Sequence, residues 1–171
     1  QDVSPEDYEV TYRGANGTEY GPTSKAPTDA GSYTAEVKLV NPNMTGSQTT
    51  TYTISPAEQV IEGKTNYAAT YGNAGIVFEN TAKTPVSYEV VPNEDGSPSP
   101  ISIQGSYASI VSAGKVRVVA HATASQNYTA AKDVELTVDV SPAPLLVIVN
   151  DAERFEGEKN PTFTSSLISP A

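Results

Sequence analysis

The chain has 171 residues, 37% of them hydrophobic, with 13 Pro and 12 Gly spread along its length, a composition of many short strands rather than long helices. Ten Lys and Arg against 20 Asp and Glu leave a net charge of -10, which repels phosphate backbones and anionic lipid and so argues against nucleic acid and membrane surfaces as partners. There is no Cys, so neither a disulfide framework nor a thiolate metal site is available, and stability has to come from packing and ladder hydrogen bonds.

Taken in chain order, the first strong signal is Ala30-Gly31 followed by an alternating run with Tyr33, Ala35, Val37 and Leu39 on one face. Period-2 alternation predicts a half-buried strand, and the glycine is expected to permit a tight opening turn. The turn sequence Asn43-Met44-Thr45-Gly46 leads into a second alternating run that closes on Ile54-Ser55-Pro56-Ala57, where Pro stops the ladder. Further on, strands are expected at Gly75 to Phe78, Val86 to Val91, Ile101 to Ile103 and Tyr107 to Val111. The first design then returns: Ala113-Gly114, the inward set Val116, Val118, Ala120 and Ala122, the turn Asn127-Tyr128-Thr129-Ala130, the run Val134 to Val140, and the tail phrase Val140-Ser141-Pro142-Ala143. A third tail phrase, Ile168-Ser169-Pro170-Ala171, ends the sequence. Self-similarity on this scale predicts tandem modules: a short β-module over 1–57, an Ig-like β-sandwich over 58–142, and a partial third module or C-terminal extension over 143–171. The fold class is all-β, built of small Ig-like β-sandwich or β-grasp-like modules in tandem. Leu145 to Val149 is an apolar strand in need of a partner, too short to span a bilayer. The charged residues of the repeated hairpins, Glu36, Lys38, Arg117, His121, Glu135 and Asp139, fall on the outward set.

The phrase Ala26-Pro27-Thr28-Asp29-Ala30-Gly31-Ser32-Tyr33-Thr34, followed by Tyr52-Thr53-Ile54-Ser55-Pro56-Ala57, resembles the repeated modules of large bacterial surface proteins, the MBG or bacterial Ig-like repeats. Tyr71-Gly72-Asn73-Ala74, Val86-Ser87-Tyr88, Ala113-Gly114 and Asn127-Tyr128-Thr129-Ala130-Ala131 are similar to the order of motifs in such repeats. In the last segment, Phe155-Glu156-Gly157 stands where that family usually has Tyr-Gly. The resemblance implies an extracellular, cell-surface protein of adhesin type whose modules serve as stalk, spacer or binding head.

Catalytic chemistry finds few residues to work with. His121 is the one His, placed on an outward strand face, which makes a solvated residue a better reading than a nucleophile's base and leaves zinc without its usual ligands. The chain is therefore read as no enzyme but a structural spacer; the alternatives are a carbohydrate- or host-protein-binding adhesin module and an accessory module of a larger secreted enzyme. For binding, Tyr67 and Tyr71 near a module edge are the candidate sugar-stacking platform, with host or cell-surface glycans or proteins as partners beside the neighbouring modules of the same chain. Calcium is the sole cofactor candidate, on the oxygen-rich turn of Asn93, Glu94 and Asp95.

Overall fold

The computed structural model describes residues 4–168, so that Ser169-Pro170-Ala171 of the last tail phrase lies outside them. Twelve strands run in order among these residues: β1 Tyr8–Ala15, β2 Gly31–Leu39, β3 Ser47–Ile54, β4 Asn66–Thr70, β5 Ile76–Val77, β6 Val86–Val91, β7 Ile101–Gln104, β8 Tyr107–Ile110, β9 Gly114–Ala122, β10 Val134–Ser141, β11 Leu146–Val149 and β12 Ser165–Ile168. One 3-10 turn, Pro5–Asp7, is the only helical element among the described residues. The protein is all-β.

The chain forms two compact units, one from residues up to 62 with 80–86 and 121–133, the other from 63–79, 87–120 and 134 onward. The second unit holds a four-stranded sheet of order β4-β10-β9-β6 and a three-stranded sheet of order β5-β8-β7. That is the strand order of an Ig-like Greek-key sandwich, with its first strand paired in parallel to its last. Alternation decides which side chains fill it: Val116, Val118, Ala120, Leu136, Val138 and Val140 are all buried, at 3% exposure or less, while the residues between them face outward. Aromatic rings close the space between the sheets: Tyr67 of β4 meets Phe78, just after β5, edge-on with centroids 5.1 Å apart, and Phe78 stacks on Tyr88 of β6 at 4.6 Å. Tyr107, the first residue of β8, is 44% exposed. In β8 it is Ala108 whose Cβ points inward, and the Tyr107 hydroxyl donates to the Ala74 carbonyl at the rim. β11 and β12 form an antiparallel pair of their own, which supplies the partner that Leu145 to Val149 lacked, with every residue of both strands exposed.

In the first unit β1, β2 and β3 form an antiparallel meander. Among the described residues this unit holds no second complete sheet, and the burial of the meander is correspondingly thin. Tyr33 is enclosed at 1% exposure between the rings of Tyr20 and Tyr52, whereas Val37, expected inward, remains 39% exposed. The two hairpins share one register, with Gly31 opposite Ile54 and Gly114 opposite Val140. Their glycines nevertheless serve different ends. Gly114 takes a positive φ of 148°, as a turn requires. Gly31 needs no such backbone; a Cβ there would lie 2.8 Å from the Thr18 methyl and 3.0 Å from the Tyr33 hydroxyl, so the expected turn role gives way to close packing.

The border expected between residues 57 and 58 separates the sheets but not the packing. Segments 80–86 and 121–133, taken in the sequence as parts of the second module, belong to the compact unit that contains the first sheet. Side-chain amides and the backbone bridges of Ala57 with Tyr128 and Glu62 with Thr81 join these segments to it.

Candidate functional site

Gln59 lies just past the first tail phrase and is 7% exposed, so its amide has to find partners within the protein. Its Nε2 donates to the carbonyls of Thr129 at 2.8 Å and Thr123 at 3.1 Å and stands 3.0 Å from Thr84 Oγ1. The Thr84 N–H returns a bond to Gln59 Oε1 at 3.1 Å, and the Thr84 hydroxyl reaches the Thr123 carbonyl at 2.9 Å. A second amide completes the arrangement. Asn127 accepts from the Ala30 N–H at 2.7 Å and donates to Asp29 at 2.8 Å, while Gln126 donates to the Ala30 carbonyl at 3.2 Å. Main chain runs alongside: the Ala57 N–H donates to the Asn127 carbonyl and the Thr129 N–H to the Ala57 carbonyl, each at 2.9 Å, forming a parallel bridge between Ala57 and Tyr128.

The motif Asn127-Tyr128-Thr129 is therefore more than a turn. It grips both Ala30, at the head of β2, and Ala57, at the end of the first tail phrase. The arrangement is a polar clamp inside one compact unit, with donors and acceptors satisfied in pairs. No buried side-chain nitrogen or oxygen among the described residues lacks a partner.

The residues singled out from sequence lie elsewhere and apart in role. Tyr67, placed beside Tyr71 as an exposed ring platform, is a core residue at 6% exposure, in edge contact with Phe78 and with the Glu79 N–H directed at its hydroxyl. β4 turns that side chain inward and ends at Thr70, so Tyr71 alone is exposed, at 50%. The Tyr67 and Tyr71 platform is thus not formed. Tyr71 instead borders a shallow apolar depression with Val111, Ala113, Pro142 and Ala143.

At the turn of Asn93, Glu94 and Asp95 the polar groups hold the loop itself. The Asp95 carboxylate accepts the Ser97 N–H at 2.9 Å, Asn93 donates to Ser97 Oγ at 3.0 Å, and Glu94 faces Arg117 at 3.6 Å. No group of three or more His, Asp or Glu among the described residues is arranged to hold a metal ion. The Ser97 hydroxyl and then the Ser97 N–H hold the Asp95 carboxyl below its ordinary value of 3.8. A carboxylate whose folded pKa is depressed supports the fold at pH above its ordinary value and loses that support as pH falls through the folded value. We expect a carbon-detected carboxyl titration to place the Asp95 midpoint below 3.8, and Ser97→Ala to move it upward; a midpoint that ignores Ser97 would contradict the assignment.

The outward charges on β9 and β10 pair across the strands. Lys115 meets Asp139 at 2.9 Å and Arg117 meets Glu135 at 3.4 Å, all four partly exposed. His121, read as a solvated strand residue, is half-buried and stands 2.8 Å from Asp133.

No protein-family model matches the chain, and no curated protein sequence does. Among solved structures, human protocadherin-24 EC1-2 aligns over 84% of this chain and 86% of its own, with 16% identity and a TM-score of 0.36. The Ig-like character of the second unit stands on its own strand order. Among the described residues no helix is long and apolar enough to cross a membrane.

Proposed function

We propose that this chain is a non-catalytic structural segment, a spacer within an extracellular, cell-surface bacterial protein of the MBG or bacterial Ig-like type. The observation that carries the reading is the clamp. The side chains most fully built into a polar network, Gln59 and Asn127, spend their hydrogen bonds on other parts of the same fold. Amides engaged in this way fix backbone segments far apart in sequence, which is what a module that transmits position needs. The repeated register of the two hairpins supports the same reading, since repeats of one unit build length without new chemistry.

A second reading, an adhesin module that binds glycan or host protein, rests on Tyr71 and Val111, exposed at 50% and 57% around their apolar depression. An array of glycans and matrix proteins, probed with the intact chain with and without calcium, separates the two. The spacer reading predicts no saturable binding in either condition. Saturable binding that disappears in Tyr71→Ala would overturn it in favour of the adhesin.

A further inference from the structure

Each of the two hairpins has a third strand beside it. β1 lies beside β2 as β6 lies beside β9, so β1-β2-β3 and β6-β9-β10 have the same neighbour order, and their hairpins β2-β3 and β9-β10 share one register. In the second set the outer edge of β10 is occupied by β4, which runs parallel to it with Tyr67 opposite Val138. In the first set β3 is the last strand, and among the described residues no backbone group pairs with its outer edge. The opposite edge of that sheet is covered, because Tyr12 of β1 exchanges both backbone bonds with Thr23.

Open edges are ordinarily protected by charge, proline, a bulge or shortness. β3 has none of the compositional guards: Ser47-Gln48-Thr49-Thr50-Thr51-Tyr52-Thr53-Ile54 is eight residues long and free of charge, proline and glycine, in a chain whose net charge is -10. Its β-branched threonines favour the extended backbone, and Ser47 to Thr51 are all exposed. By contrast β7 is four residues long, with Pro100 directly before it, and the edge strand β6 carries Glu89 and is followed by Pro92.

We propose that the outer edge of β3 is a strand-accepting site, which binds an extended segment of another polypeptide parallel to β3. Its pattern is given by β4, uncharged from Asn66 to Thr70, with an aromatic side chain turned to the core face. Gly31 opposite Ile54 matches Gly114 opposite Val140, so Tyr52 occupies the place of Val138, and the aromatic residue of the incoming strand lies beside Tyr52. Main-chain bonds supply the affinity and the ring supplies the register.

The test uses the intact chain and a synthetic peptide with the sequence of residues 63–73, with amide exchange read residue by residue. Saturable binding is expected, with alternate amides of β3 slowed, and a peptide carrying Tyr67→Asp is expected to bind roughly tenfold or more weakly, as loss of an aromatic anchor does. Three results would overturn the proposal: no binding, protection on β10 or β7 instead of β3, or β3 amides already protected without peptide as protein concentration rises, which would make a second copy of the chain the occupant.

Discussion

Gln59→Ala is expected to lower the stability of the unit that contains the first sheet by about 3 kcal/mol, because the truncation removes side-chain bonds to three backbone groups at a net of about 1 kcal/mol each. The groups are the Thr84 N–H and the carbonyls of Thr123 and Thr129. Gln59→Glu tests the chemistry rather than the volume, since a carboxylate is an acceptor only and faces the two carbonyls that Nε2 now bonds. It should be at least as harmful near neutral pH. Urea unfolding followed through the Tyr20, Tyr33 and Tyr52 ring cluster reads the change as a fall in midpoint at constant slope. An unchanged midpoint in both variants would show that water replaces the side-chain bonds without loss.

Leu136→Ala is expected to cost about 3 kcal/mol in the sandwich, within the range seen when a fully enclosed Leu is cut to Ala and the walls relax only in part. Leu136 is 0% exposed, opposite Val118 at 0% in the neighbouring strand. Because β10 pairs with both β4 and β9, the loss falls on a central strand rather than an edge. Leu136→Met, which nearly conserves volume, should cost less than about 1.5 kcal/mol. Equal losses for the two substitutions, measured by thermal unfolding, would contradict the packing assigned to this position.

Different parts of this architecture were legible in the sequence to different degrees, for physical reasons. The β9 and β10 hairpin was readable because its two inner faces meet a second sheet, so period 2 appears as an unbroken apolar set from Val116 to Ala122 and from Leu136 to Val140. β1 went unread although Tyr8, Val10 and Tyr12 alternate, because none of its residues is fully buried and the pattern lapses at Gly14. β4 was missed for its shortness, and with it the inward direction of Tyr67. Parity from Tyr67 to Ala69 was the available signal, and the apparent pairing of Tyr67 with Tyr71 obscured it. The clamp was least legible of all. Gln59 bonds to residues 25, 64 and 70 positions away, and no local pattern marks a polar side chain whose partners come together only on folding. Asn127 was noticed, but as a turn residue, because its bond to Ala30 spans 97 positions.

The amide clamp fastens the first sheet to the loop from Thr123 to Thr129. Amide hydrogen exchange on the intact chain and on the Gln59→Ala, Asn127→Ala double variant tests it most directly. The clamp predicts that peptides covering residues 31–54 and 121–133 lose protection together, while those covering 134–141 keep theirs. Unchanged protection over 31–54, with the loop alone released, would contradict it.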